Sequence, residues 1–284
     1  MAVAALPALP AHMMPFLGES FAASKAADRP MEECGEICSP SQVRTLMDCS
    51  ARWMFRYLLQ LPEPQNGNLA LGTAVHAALA YNFKPKVKSG ADLPIGEVLS
   101  HFDQAWDQAQ NEATFRDDEN PKELGASGRG LVEKYMLEAA PAIQPAAVEC
   151  KVEGVIAGVK VQGVLDVIET NGRVRDIKTS GRKSSCVSNE QKFQLATYVP
   201  FAPGATGEVV VDQLVKTKTP QLVQLEHTIT ASDRLATERL YPHAQFVMRS
   251  QVYMPNRCSN LCSRKNCAYW RECEREFGGE VEES

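Results

Sequence analysis

The sequence predicts an α/β fold in which helices flank a central mixed sheet, and three observations predict it. Apolar residues follow helical spacing before Pro145, the period changes to two after it, and helical spacing returns over 188–199 and 231–250. No internal repeat interrupts this order.

Taken along the chain, residues 1–38 are rich in Ala, Pro and Met without a sustained period, and are expected to form a flexible arm. From Ser39, which can cap, and Pro40, which suits a first helical turn, Val43, Leu46, Met47, Trp53, Met54, Tyr57 and Leu58 mark an amphipathic helix. Further helices are expected over 70–82, around Val98, Leu99, Phe102 and Trp106, and over 128–139. Then VECKVEGVIAG, VKVQGVLDVIET and RVRDIKTS read as three short antiparallel strands, with a turn at Asn171-Gly172. Strands over 207–216 and 221–229 and a long helix over 231–250 complete a main domain of residues 39–256. Residues 257–284 form a separate cysteine-rich segment with an acidic tail.

The 284 residues, 44% hydrophobic and 23% charged, have the composition of a globular protein, with no run near the ~18 apolar residues of a membrane span. The N-terminus lacks the basic stretch of a secretory signal and carries prolines through its apolar part, so a cytoplasmic location is expected. A net charge of −5 argues against coating nucleic acid over the whole surface, but leaves room for a basic groove. Between 173 and 192, Arg173, Arg175, Lys178, Arg182, Lys183 and Lys192 stand against only Asp176 and Glu190. Arg257, Arg264, Lys265 and Arg271 add a second patch, with Tyr269 and Trp270 as stacking surfaces.

In the strand 173–179 a period of two sets Val174, Asp176 and Lys178 on one face. Asp166 lies among Val164, Leu165, Val167 and Ile168, where an uncompensated carboxylate is costly. A two-residue turn at Asn171-Gly172 pairs Asp166 with Ile177 and sends the two aspartates to opposite faces. A three-residue loop of Thr170, Asn171 and Gly172, with Gly172 left-handed in a bulge, pairs Asp166 with Asp176. Carboxylates so placed repel unless a divalent cation lies between them, and Lys178 one step along can orient a water or meet phosphate charge. The plain alternative is a surface salt bridge between Asp176 and Lys178. His76, in GTAVH, shares a helix with the apolar Leu71, Val75, Ala78 and Leu79, a setting equally suited to a structural histidine. Gln194 and Tyr198, one helical turn apart in QLATY, lie on one helix face.

Nine cysteines, four of them between 258 and 273, read as a metal site in a reducing compartment. A closed zinc knuckle from Cys258, Cys262, Cys267 and Cys273 is the local solution, and an iron-sulfur cluster is the other.

GTAVH, GVLDVIE, RVRDIKTS and QLATY, in that order, resemble the PD-(D/E)XK nuclease superfamily, and particularly its RecB-like branch, over roughly 40–275. The resemblance implies a restriction-endonuclease-like core and a Mg²⁺- or Mn²⁺-dependent DNA nuclease, most simply an exonuclease leaving 5′-phosphates. It implies that His76, Asp166 and Asp176 hold the metal, that Asp166, Asp176 and Lys178 are catalytic, and that Gln194 and Tyr198 position DNA. Glu149 matches an acidic position of the branch. Cys49, in SPSQVRTLMDCSARWMFRY, resembles the early cysteine that iron-sulfur RecB-like nucleases, the CRISPR-adaptation exonuclease group included, combine with three C-terminal cysteines. That implies a [4Fe-4S] cluster on Cys49, Cys262, Cys267 and Cys273, packing the C-terminal segment near the first helix. Cys258 stays open as a substitute for one of these ligands, and Zn²⁺ as the other cofactor. Recombination, repair or phage DNA processing is the implied setting, in a bacterial or phage-infected cell, with DNA and a recombination or repair protein as partners. The competing class is a non-catalytic nucleic-acid-binding module whose cysteines hold structural zinc.

Overall fold

In the computed structural model, which describes residues 35–116 and 118–283, six strands form one mixed sheet: β1 (Ile37–Cys38), β2 (Pro145–Ile156), β3 (Val159–Glu169), β4 (Val174–Ser180), β5 (Glu208–Val215) and β6 (Gln221–Thr228). The helices are α1 (Pro40–Asp48), α2 (Ser50–Trp53) continuing into a π-helical segment (Met54–Leu58), α3 (Gly67–Ser89), α4 (Ile95–Glu112), α5 (Pro121–Glu138), α6 (Asn189–Tyr198), α7 (Ala231–Ser250) and α8 (Trp270–Phe277). None of the described helices is long and apolar enough to cross a membrane.

β2, β3 and β4 are the antiparallel meander that the period of two implies. β4 and β5 run parallel, which requires a crossover, and α6 lies in it. β6 closes the sheet antiparallel to β5. The mixed sheet flanked by helices is therefore the fold class the sequence predicts.

Local chemistry explains the helix limits. Asn66 accepts the Leu69 N–H at 2.9 Å and starts α3, and Gly90 ends it in the left-handed region at φ 69°. Asn120 caps α5 ahead of Pro121, and Ser188 with Gln191 forms a reciprocal capping box on α6. These ends lengthen the helix expected over 70–82. The helix expected from Ser39 to Leu58 is instead broken at Cys49, whose backbone is extended at φ −159° and ψ 108°. The expected arm also ends earlier than residue 38, because Ile37 and Cys38 pair parallel with Lys160 and Val161. A strand of two residues is too short to show a period; the rest of that arm, Cys34 included, lies outside the described residues.

The described chain divides into two compact units. One comprises 36–44 and 64–246 and contains the sheet; the other comprises residue 35, 45–63 and 247–283. In the sheet unit, one core joins Val167, Ile177 and Leu214 to Leu71, Leu79, Phe83, Phe102, Leu131 and Tyr135 of α3, α4 and α5. The second joins Val174, Val209 and Val211 to Leu195, Ala196 and Tyr198 of α6. Burial of each large apolar side chain contributes about 1.5–3 kcal/mol, so the two layers hold β4 from both sides.

Candidate active site

The turn between β3 and β4 decides whether the acidic residues can meet. Glu169 donates its N–H to Arg173 O at 2.8 Å and Gly172 donates to Glu169 O at 2.9 Å, so Thr170, Asn171 and Gly172 form a three-residue loop. Gly172 sits at φ 84°, and a Cβ there would come within 2.4 Å of Gly204 O, which excludes any other residue without strain. Val167 pairs with Arg175 and Ile168 with Val174. Continued by one residue, that odd offset sets Asp166 across from Asp176.

The ladder itself stops there. The Ile177 N–H, which would carry it on, donates instead to Asp166 Oδ2 at 2.7 Å. The two strands part at this point, and the opened edge receives side chains from α3 and α6. His76 of α3 brings Nδ1 to 3.4 Å from Asp166 Oδ1. Gln194 of α6 donates to Asp176 Oδ1 at 3.1 Å, and Lys178 Nζ donates to the same oxygen at 2.8 Å. Asp176 Oδ2 is buried and accepts no hydrogen bond. The four groups His76, Asp166, Asp176 and Lys178 are thus brought together.

Their electrostatics follow from that crowding. Burial raises the Asp176 carboxyl pKa and the Asp166 charge adds to it, while Lys178 only partly offsets them. Burial also disfavours ionised Asp166, but His76, Lys178 and the Ile177 N–H outweigh it and hold this carboxyl below its ordinary value. For His76 burial acts downward and Asp166 prevails, leaving the imidazole raised. One carboxylate is therefore well stabilised and its neighbour is not.

Among the described residues no three His, Cys, Asp or Glu side chains stand at metal-ligand spacing. The donor set nevertheless suits a hard divalent ion: two carboxylates with an imidazole beside them, and an orphaned oxygen on Asp176. Glu149 lines a small cleft with His76, Asp166 and Ile177, its backbone strained into the left-handed region at φ 49° inside β2. Its carboxylate pairs with Lys84. No sequence signal announces that strain, since the period of β2 runs straight through it.

Gln194 and Tyr198 occupy different surroundings although they share a helix. Gln194 holds Asp176, whereas the Tyr198 ring lies over Gly163, where a Cβ would approach within 2.0 Å of it. Burial, with the charges of Asp176 and Asp166, pushes the Tyr198 hydroxyl up to about 12. The basic run 173–192 is also divided. Arg175 is buried, with bonds to Glu169 at 2.7 Å and to both oxygens of Asp212 at 3.0 and 2.9 Å, and Arg173 pairs with Glu208 and Glu226. Those two arginines do not belong to a surface for phosphate, which corrects the reading of the run as one patch. Alternation along β4 turns Arg175 away from Asp176, and buried acids meet it.

In the other unit Cys49, Cys262, Cys267 and Cys273 line one pocket together with Arg52, Phe55, Asn256 and Trp270. Cys258 is exposed and outside that lining. The break at Cys49 is fixed by the C-terminal segment: Ala51 N–H donates to Met254 O at 3.1 Å and Asn256 N–H reaches Cys49 Sγ at 3.4 Å. Burial raises the Cys262 and Cys267 thiols and pushes Cys273 up to about 11. The four thiols share one pocket without standing at metal-ligand spacing, and α8, which carries Cys273, has no counterpart among the helices expected from periodicity.

A family model described as the PD-(D/E)XK nuclease superfamily matches residues 37–274. Comparison with curated proteins gives no match. Among solved structures, a crystal structure from Eubacterium rectale described as a "putative exonuclease" is 13% identical, with 82% of this chain and 89% of that chain covered at a TM-score of 0.52. A crystal structure of SSO0001 is 15% identical over 82% of this chain and 96% of that chain, at a TM-score of 0.37. The first of these is a likeness of fold. Because the family model runs from β1 into α8 and takes in the whole sheet, the chain belongs to the PD-(D/E)XK nuclease superfamily.

Proposed function

We propose that the protein is a Mg²⁺- or Mn²⁺-dependent deoxyribonuclease of the RecB-like branch, acting as an exonuclease in DNA recombination, repair or phage DNA processing. The observation that carries this reading is the buried, unpartnered Asp176 Oδ2 beside Asp166 and His76. A carboxylate oxygen kept from water and from every donor is costly unless a cation takes it. Asp166, Asp176 and His76 are the residues that would hold that cation, which supplies Lewis-acid charge to a phosphodiester when bound.

The chain's own groups account for the remainder. The Ile177 N–H and His76 fix the Asp166 carboxylate, and Gln194 and Lys178 fix Asp176 through a single oxygen. Lys178, about one-third exposed, keeps donor hydrogens free for a water or a phosphate oxygen. Gln194 acts on DNA through Asp176, and Tyr198 by supporting α6 against Gly163. In the second unit, the pocket lined by Cys49, Cys262, Cys267 and Cys273 supports a [4Fe-4S] cluster over a knuckle that uses Cys258.

Digestion of end-labelled single- and double-stranded DNA by anaerobically purified protein tests the reading. Release of nucleotides from ends with Mg²⁺ or Mn²⁺, absent in EDTA and in Asp176→Asn, is expected. No hydrolysis by wild type, or equal hydrolysis by the variant, overturns it. The same preparation should be brown, and Cys49→Ala should lose the colour while Cys258→Ala keeps it. A colourless protein with stoichiometric zinc contradicts the cluster.

A further inference from the structure

We infer that Gln213 is a positioning residue, holding the loop of residues 181–185 as a seat for backbone phosphates of the DNA strand being cut. The inference rests on the nuclease reading and adds to it the surface that meets the substrate. β4 and β5 are parallel, with Lys178 aligned to Gln213 and Ser180 to Val215. The loop leaving β4 therefore begins beside the proposed catalytic lysine, at the carboxyl edge where α/β sheets receive ligands.

Gln213 is 4% exposed in a strand otherwise of Glu208, valines, Asp212 and Leu214, and a buried amide is costly unless its groups are bonded. Its bonds go to the loop. Oε1 accepts the Ser184 N–H at 2.8 Å, and Nε2 donates to Arg182 O at 3.1 Å and to Ser184 Oγ at 3.0 Å. Ser180 Oγ donates to the same Arg182 carbonyl at 2.8 Å, and Lys216 N–H donates to Ser180 O at 2.8 Å. The loop backbone is thus fixed from beneath by a side chain that stands next to Lys178.

Its charged side chains are treated in the opposite way. Arg182 and Lys183 are exposed, and no ion pair among the described residues engages either. Arg173 and Arg175, a few residues earlier, are both taken up by acids. A rigid backbone presenting free cations has its ordering entropy settled before the ligand arrives, and a phosphodiester is the anion that the neighbouring site would act on.

The test is the salt dependence of binding to a fluorescent single-stranded oligodeoxynucleotide in EDTA, using the full chain, with steady-state kinetics in Mg²⁺ alongside. Arg182→Gln/Lys183→Gln, a surface change, should lower the slope of log K against log salt by about 1.4, or about 0.7 for each phosphate no longer neutralised. Gln213→Leu should lower it by about 0.7 or more and raise KM, with kcat and the Mg²⁺ requirement within about twofold of wild type. Should Gln213→Leu fail to fold, Gln213→Met, which keeps the side chain's length and removes both bonding groups without adding charge, carries the same expectation. An unchanged slope in the double variant overturns the phosphate seat. An unchanged slope in the Gln213 variant, or a fall in kcat alone, overturns its positioning role. A wild-type chain that binds DNA and never cleaves it removes the nuclease reading, and the slopes still report on the loop.

Discussion

The two faces of β4 carry buried charge in opposite states. On one, Arg175 is bonded to Glu169 and, through Nη1 alone, to both oxygens of Asp212, and Asp212 also accepts from Tyr135 at 2.7 Å and Gln224 at 2.9 Å. On the other, one oxygen of Asp176 accepts from both Lys178 and Gln194 while the second accepts nothing. The first arrangement is complete without a ligand and belongs to the scaffold. The second is incomplete in a way that a cation would remedy, so the difference separates what holds the fold from what the fold holds.

Mutations on the two faces should therefore fail differently. Asp176→Ala is expected to lower kcat by about 10³-fold or more, because several kcal/mol of charge stabilisation is removed at about 1.4 kcal/mol per decade. Its thermal stability should stay equal or rise, since a poorly satisfied buried carboxylate is gone. A large drop in its unfolding midpoint would break the comparison. Asp212→Ala, on the other face, should cost about 3–5 kcal/mol by urea unfolding, because Arg175 and Tyr135 lose their buried partner. The fraction that stays folded should cleave DNA normally.

Smaller changes sharpen the same contrast. Gln194→Leu removes one of the two donors on Asp176 Oδ1, worth about 1 kcal/mol, and should reduce kcat about 5-fold with little loss of stability. Tyr135→Phe removes one of the bonds to Asp212 and should cost about 1–2 kcal/mol of stability while leaving kcat unchanged. A Tyr135 variant with wild-type stability and impaired cleavage would reverse the assignment of the faces.

Much of this contrast was legible in the sequence because it is local. Period two alone places Asp176 and Lys178 together and turns Arg175 away. The chemistry of two aspartates overrides the turn signal of Asn171-Gly172, and the odd register that they require is the one found. Non-local contacts were not legible. Asp212 lies 37 residues from Arg175 and 77 from Tyr135, and no pattern in the strand EVVVDQLV says which acid will meet which base. For the same reason the bond from Gln194 to Asp176, 18 residues earlier, follows only once α6 is packed. Cys49 breaks a helix that its neighbours' apolar spacing supports, because the bond from Ala51 N–H to Met254 O and the one from Asn256 N–H to Cys49 Sγ, reaching some 200 residues along the chain, hold it extended.

The central claim, that Asp176 with Asp166 forms a divalent-cation site, is tested most directly by thermal unfolding of EDTA-treated protein as Mg²⁺ or Mn²⁺ is added. Wild type should be stabilised with a saturating dependence on the cation, by about 1.4 kcal/mol at tenfold excess over its dissociation constant, and Asp176→Asn should show no such rise. Equal stabilisation of both proteins, or none in a wild type that still cleaves DNA, would contradict the claim.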